Sequence, residues 1–147
     1  GRLYWWWTQL LSFVLNGWAQ HDEACPHFIT MLDQTSLGTR FLKEEFDFTP
    51  RVSWQLDPFG HSAVQATHLG SGVGLEAVFF GRADRDDVRT RIETGAMEFT
   101  WRGSRSIGVE HDVKGVILSK HGNYGPPPGM CYDVVCGDDA RWQVSSS

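Results

Sequence analysis

The chain has 147 residues and a mass of 16.6 kDa, a size that suits one domain or a part of a larger one. Its net charge of −5 and its pI near 5.6 argue against a general nucleic-acid binder and against a basic helix on a membrane surface. Hydrophobic residues make up 41% of the chain, which is typical of a globular protein, and no apolar run reaches the roughly 18 residues of a membrane span.

The clearest helical pattern covers residues 22–46, where apolar side chains recur close to every 3.6 residues. Asp22 is the predicted N-cap, and Pro26 is tolerated in a first helical turn. Gly38 is expected to kink or split this helix, because glycine weakens a helix interior.

Four apolar strands and two further helices follow. The strands are predicted at residues 51–56, 75–80, 97–101 and 113–119, and the helices at 62–69 and 83–94. In the first strand the alternation places Val52, Trp54 and Leu56 on one face, and Ser62 can cap the helix after it. Strands that alternate with helices indicate an α/β fold with a mainly parallel sheet.

Two of these strands end in charged residues, Asp57 after the first and Arg82 after the second. Ligands of α/β folds bind at the carboxyl ends of strands, so neighbouring strands would place Asp57 and Arg82 on one rim. That geometry suits a carboxylate nucleophile or metal ligand beside a cation that orients a polar substrate. Alternatively, Asp57 is a turn or cap residue before Pro58, and Arg82 forms a surface ion pair with Asp84 or Asp86.

Other side chains suited to metal binding or redox chemistry occur elsewhere in the chain. His61 could be a metal ligand or could support one, or it could simply begin a helix. His21, Asp22, Glu23 and His27 are compatible with a metal, but the two acids are better explained as first-turn residues that face a helix dipole. Of the three cysteines, Cys131 and Cys136 can close a small loop or remain two reduced thiols.

Together, residues 13–136 resemble the catalytic domain of family 38 glycoside hydrolases, the class II α-mannosidases, and especially their lysosomal-type branch. The segments that carry this resemblance are Asn16-Gly17-Trp18, His21-Asp22-Glu23-Ala24, Asp33-Gln34, Phe41-Leu42-Lys43, residues 50–62 (PRVSWQLDPFGHS), Gln65-Ala66, Phe79-Phe80-Gly81-Arg82, Met97-Glu98-Phe99, Trp101-Arg102-Gly103-Ser104, residues 125–129 (GPPPG) and the Cys131–Cys136 pair. Their order along the chain is far more specific than any one of them.

The resemblance implies a seven-stranded, barrel-like parallel α/β domain that hydrolyses terminal α-linked mannose with retention of configuration. It implies that Asp57 is the nucleophile and also a zinc ligand, that Arg82 lines the substrate site, and that Cys131 and Cys136 form a disulfide. Zinc is therefore the implied cofactor, and mannose-containing N-glycans or oligosaccharides are the implied partners. From the acidic composition and the lack of a membrane-length apolar run, no nucleic-acid or membrane partner is expected. The full-length protein could form a homo-oligomer.

The family pattern also requires residues that this chain does not match. Its His-x-Asp zinc motif lies upstream and a zinc-binding histidine downstream, and its acid/base aspartate is expected beyond residue 147. Residues 1–147 are therefore expected to be part of an N-terminal catalytic domain that is incomplete at both ends and inactive alone. The alternatives are a non-catalytic mannoside-binding domain and a purely structural segment. By resemblance, the protein works in a lysosome, vacuole or secretory lumen.

Overall fold

The computed structural model describes residues 12–118, which form three helices and one four-stranded sheet. In chain order these are α1 (Phe28–Phe46), β1 (Val52–Gln55), α2 (Ala63–Thr67), β2 (Ala77–Phe80), α3 (Arg85–Thr94), β3 (Glu98–Trp101) and β4 (Val113–Ile117). Short 3₁₀ helices at Ser71–Val73 and Val109–His111 precede β2 and β4. Within the part of the chain described, no helix is long and apolar enough to cross a membrane.

The sheet has the strand order β1-β2-β4-β3. The pairs β1–β2 and β2–β4 are parallel, whereas β3 runs antiparallel to β4. The predicted α/β class with a mainly parallel sheet is confirmed. Over residues 12–118 the sheet is open and mixed, so the predicted seven-stranded barrel is not confirmed by it.

The first helix begins later than the sequence predicts. His27, not Asp22, is the N-cap, and its Nδ1 accepts the N–H of Ile29 at 3.3 Å. The helix ends at Asp47, a left-handed residue with φ of 53°, where the N–H groups of Asp47 and Phe48 bond to the carbonyls of Lys43 and Leu42. The predicted cap was wrong because Asp22 closes a separate turn, in which its carboxylate accepts the N–H of Ala24 at 2.9 Å.

Gly38 does not split α1, which is continuous. A Cβ at this position would collide with the backbone of Gly17 and Trp18, so the glycine allows the helix to lie directly on that segment. The N–H of Trp18 also donates to the carbonyl of Gln34 at 3.1 Å. The buried stripe of α1 is Met31, Thr35, Gly38 and Leu42, whereas the predicted apolar residues Phe28, Phe41 and Phe46 are exposed.

One face of the sheet is covered and holds the apolar core. Val78, Phe80, Val113 and Ile117 are buried there with Ala66 of α2, and a partly buried shell of Ala83, Val88, Met97, Phe99 and Trp101 packs against them. Fully burying each such side chain contributes about 1.5–3 kcal/mol to stability. This core includes Phe80, the last residue of β2, and so holds the carboxyl end of that strand in place.

At β1 the covered face of the sheet is polar instead of apolar. Ser53 and Gln55 are buried there, whereas Val52, Trp54 and Leu56 are only half-buried. Trp54 stacks on Phe79 of β2 on the other face, with ring centroids 6.1 Å apart. The predicted alternation of β1 is confirmed, but its polar side faces the interior because hydrogen-bonding partners lie over it.

Candidate functional site at the carboxyl ends of β1 and β2

Asp57 and Arg82 lie side by side at one edge of the sheet. Each follows its strand by two residues, and β1 and β2 are parallel neighbours with Gln55 opposite Phe80. The Nε of Arg82 forms an ion pair with Oδ1 of Asp57, and the two side chains are 47% and 48% exposed. The structure thus brings together the two residues that the sequence predicts for this rim.

Gly81 explains how the two strand exits come so close. Its N–H donates to the carbonyl of Gln55 at 3.2 Å, and its backbone lies close to the carbonyl of Leu56. A Cβ at residue 81 would collide with that backbone oxygen, which cannot move aside as a flexible side chain can. A glycine before Arg82 therefore keeps the guanidinium within reach of Asp57.

The acids that could compete with Asp57 have other roles. Asp84 is the N-cap of α3 and accepts the N–H groups of Asp86 and Asp87, each at 3.0 Å. Asp86 pairs with Arg89 at 3.0 Å. The N-cap of α2 is Ser62, as predicted, so Asp57 is not a helix cap.

His61 bridges the two strand exits and a loop that precedes α1. Its Nε2 lies 2.6 Å from the backbone carbonyl of Arg82, and its Nδ1 lies 3.3 Å from Oε2 of Glu23. The ring packs edge-on against Phe80 and Trp101, with centroids 4.9 and 6.4 Å away. The hydrogen bond with Glu23 raises the pKa of His61 above its ordinary value, and the Arg82 carbonyl adds to this effect against the opposing effect of burial.

Glu23 is the residue of this site that sequence reasoning misassigned. It does not lie in the first turn of a helix, because α1 begins only at Phe28. Its side chain is 1% exposed, and Oε2 also accepts the N–H of Ser62 at 2.9 Å. The one signal in the sequence was its place in the His21–Ala24 segment of the family resemblance.

His21 lies in a part-buried polar network under β1. Its Nδ1 accepts from the amide of Gln34 at 2.7 Å, and its Nε2 lies 2.9 Å from Oε1 of Gln65. Gln65 in turn donates to Ser53 at 3.3 Å, and Gln55 donates to the carbonyl of His21 at 3.2 Å. Because the amide nitrogen of Gln34 can only donate, the proton of the neutral ring resides on Nε2.

The predicted metal-compatible cluster does not form. His21 lies in this amide network, Glu23 contacts His61, and His27 caps α1. Among residues 12–118, no group of three or more His, Cys, Asp or Glu side chains is placed to hold a metal ion. Asp57 can therefore offer a carboxylate oxygen to a metal, but the described residues alone do not complete a zinc site.

Of the three cysteines, only Cys25 lies within the described residues. Cys25 is free and exposed, and a hydrogen bond with Asp22 raises the pKa of its thiol. A raised pKa lowers the fraction of reactive thiolate at neutral pH. The predicted disulfide between Cys131 and Cys136 lies outside the described residues.

Comparison of the sequence with known proteins identifies the family of the chain. Residues 8–143 match the family model of the glycosyl hydrolases family 38 N-terminal domain. The chain is 48% identical over 128 residues to a probable α-mannosidase of Arabidopsis thaliana, covering 87% of this chain and 12% of that protein. It is 45% identical over 124 residues to the α-mannosidase of Canavalia ensiformis, covering 84% and 12%. It is 41% identical over 131 residues to the human lysosomal α-mannosidase, covering 87% and 13%.

The match thus extends over most of this chain but over only about an eighth of each relative. Within the matched residues lie both strand exits that carry Asp57 and Arg82, together with Glu23 and His61. The chain therefore belongs to glycosyl hydrolase family 38 and corresponds to part of that family's N-terminal domain.

Proposed function

We propose that this chain supplies the nucleophile side of an α-mannosidase active site, with Asp57 as the nucleophile. The observation that carries the proposal is the Asp57–Arg82 ion pair at the carboxyl edge of a parallel strand pair. Ligands of α/β sheets bind at this edge, and a half-exposed carboxylate there can be reached by a substrate. The relatives named as α-mannosidases supply the substrate class.

The proposed reaction is hydrolysis of terminal α-linked mannose with retention of configuration. In such a reaction one carboxylate attacks the anomeric carbon, and a second carboxyl group protonates the departing oxygen. Asp57 forms the covalent glycosyl-enzyme, and water then releases the sugar with the second group acting as base. We assign the second group to a residue outside this chain, at about 5 Å from Asp57 when the site is complete.

Arg82 has two proposed tasks. Its guanidinium holds Asp57 as a carboxylate and directs the second carboxylate oxygen toward the substrate. It can also donate to a sugar hydroxyl, because a planar guanidinium carries five N–H donors. Arg82 is therefore the substrate-binding residue of this proposal.

Zinc is proposed as the cofactor of the complete site. Three or four ligands are the norm for zinc, and residues 12–118 hold no group of three candidate ligands. Asp57 is accordingly proposed as one ligand, with the others contributed from elsewhere. Bound there, the metal would polarise sugar hydroxyls; the attack itself is assigned to Asp57.

The wider setting is proposed from the relatives. Since the chain spans about an eighth of their length, the four described strands are proposed as part of a larger, seven-stranded barrel-like domain. Mannose-containing N-glycans are the proposed substrates, and a lysosome, vacuole or secretory lumen is the proposed location. The Cys131–Cys136 disulfide is proposed for the same oxidising setting.

A chromogenic α-mannoside provides the first test. We expect the 147-residue chain to release no mannose by itself, with or without zinc. We expect activity when the chain replaces the aligned segment of the Canavalia ensiformis α-mannosidase. In that chimaera Asp57→Asn should lower kcat by at least about a thousandfold, because it removes the nucleophile. The matched control Asp86→Asn, on the exposed side of α3, should leave kcat unchanged.

A secreted, folded chimaera that retains activity in Asp57→Asn would overturn the assignment of the nucleophile. Activity of the isolated chain that requires zinc and disappears in Asp57→Asn would instead mean that the site is complete within it. The second candidate function is mannoside binding without turnover, which is favoured because residues 12–118 bring together no three candidate metal ligands. Binding of a mannoside to the isolated chain that persists in Asp57→Asn would support it.

A further inference from the structure

The two loops that carry Asp57 and Arg82 are tied together by a third residue. His61 follows Asp57 by four residues, yet its Nε2 reaches across to the carbonyl of Arg82 at 2.6 Å. The same ring contacts Glu23, a residue that lies before α1 and far away in sequence. His61 therefore connects the exits of both strands to one buried point of the fold.

The hydrogen-bonding partners define the state of the ring. A backbone carbonyl can only accept, so Nε2 donates to Arg82. An ionised carboxylate also only accepts, so Nδ1 donates to Glu23. Only the imidazolium donates from both nitrogens, and the raised pKa of His61 agrees with this state.

The buried carboxylate of Glu23 stabilises the protonated form of His61. Its carboxylate is 1% exposed, and its Oε2 is held by His61 and by the N–H of Ser62. Its Oε1 is buried and has no hydrogen-bond partner among residues 12–118. A buried carboxylate is costly unless a positive group lies close, and the imidazolium at 3.3 Å supplies that charge.

The ring of His61 is 31% exposed and contacts aromatic side chains on its inner side. Phe80 of β2 and Trp101 of β3 pack against it edge-on, and the charged or polar groups that face it are Glu23 and the Arg82 carbonyl. Movement of His61 would release the backbone of Arg82. The guanidinium of that residue is the group that orients Asp57.

We propose that His61, held between buried Glu23 and the Arg82 carbonyl, is a positioning residue that sets the Arg82 guanidinium against Asp57. The effect of His61 on catalysis rests on the function proposed above. The effect of His61 on the Arg82–Asp57 contact is independent of that function, because the contact can be measured in the chain without any substrate.

The direct readout is the exchange of the Arg82 Nε–H with water, which we expect to be slowed while this group donates to Asp57. In the 147-residue chain, His61→Ala should accelerate this exchange roughly tenfold, toward the rate of Asp57→Asn, since a charge-assisted hydrogen bond is lost. His61→Gln keeps one donor for the Arg82 carbonyl and should recover part of the protection. The control His68→Ala, which removes an exposed ring that stacks on Phe28, should leave the exchange unchanged.

Glu23→Gln keeps the proposal testable if His61→Ala does not fold. In this variant the ring pKa of His61, followed by NMR, should fall toward its ordinary value. In the parent chain, Arg82 protection should weaken as pH rises through the pKa of His61, and in Glu23→Gln that weakening should move to lower pH. If the exchange rate of the Arg82 Nε–H changes neither when His61 is removed nor when His61 titrates, the proposal is overturned.

Catalysis in the chimaera separates this inference from the proposed function. There His61→Gln should lower kcat and raise KM, because the displaced Arg82 guanidinium orients the nucleophile and also donates to the sugar. If Asp57→Asn leaves activity intact, the proposed function fails, and the exchange data still decide the role of His61. If Asp57→Asn abolishes activity but His61→Ala leaves both kcat and Arg82 exchange unchanged, the positioning role fails alone.

Discussion

The covered face of the sheet has two halves that are stabilised differently. Under β2 and β4 it is apolar, with Val78, Phe80, Val113 and Ile117 buried together. Under β1 it is polar, because Ser53 and Gln55 face a network of amide and imidazole side chains. Apolar contacts are non-directional, whereas each hydrogen bond specifies an orientation.

The strand exits with Asp57 and Arg82 lie where the two halves meet. The comparison indicates that the two halves have different roles: one stabilises the domain, and the other orients the residues of the site. The apolar half buries the core side chains, and the polar half orients the segments around Asp57 through directional hydrogen bonds. Four substitutions or titrations test this division, and they are ordered by the size of the expected effect.

The largest effect is expected from the apolar half. Phe80→Ala should lower the free energy of unfolding by about 3–5 kcal/mol, because it leaves a cavity beneath both strand exits. Urea denaturation of the two proteins measures this difference. Phe59→Ala is the matched control, since Phe59 is 75% exposed, and it should change stability by less than about 0.5 kcal/mol. Equal effects of the two variants would contradict the location of the core.

Gly81→Ala tests the boundary between the halves. Its Cβ would collide with the Leu56 carbonyl, so the strand exits must separate at a cost of about 1–3 kcal/mol. The Arg82 Nε–H should exchange faster in this variant than in the parent chain. Gly60→Ala serves as the milder comparison, because its Cβ would meet only the Cβ of Ala24, at 3.3 Å. Undisturbed Arg82 exchange in Gly81→Ala would show that the close approach is not needed.

Gln65→Leu tests the polar half. The change keeps the volume but leaves His21 and Ser53 without their amide partner, which should cost about 1–3 kcal/mol. Thr67→Val is the comparison, because the Thr67 hydroxyl donates within α2, to the carbonyl of Ala63. A stability of Gln65→Leu at or above that of the parent chain would mean that the polar network does not stabilise the fold.

The smallest effect is a pH dependence from His61. Its folded pKa is raised, so the stabilisation is complete below the unfolded pKa of about 6.5 and is lost as pH rises through the folded pKa. Urea unfolding measured across this range should show the decline, and Glu23→Gln should flatten it. A decline of the same size in Glu23→Gln would assign it to another group.

The fold was predictable where local chemistry determines it. The four strands, the three helices, the Ser62 cap and the adjacency of Asp57 and Arg82 all follow from periodicity, caps and the rule that parallel strands share an edge. The start of α1 was not predictable in this way. Both Asp22 and His27 can cap a helix, and the residue that does so depends on the turn at Ala24.

The site was predictable only in part, for a similar reason. Asp57 and Arg82 each follow a strand, so strand order alone brings them together. Glu23 and His61 are 38 positions apart, and no pattern within either segment indicates that they meet. Their contact arises from the loop before α1 packing against the N-terminus of α2, where Glu23 accepts the Ser62 N–H.

By itself, the amino-acid sequence determined the family, the α/β class and the rim that carries Asp57 and Arg82. Periodicity and motif order are properties of the chain, and they survive without tertiary contacts. The tertiary structure alone decided that β1 turns its polar side inward, that Gly38 lies on Gly17 and that buried Glu23 faces His61. Burial and hydrogen-bond pairing join residues that are distant in sequence, so they exist only once the chain has packed.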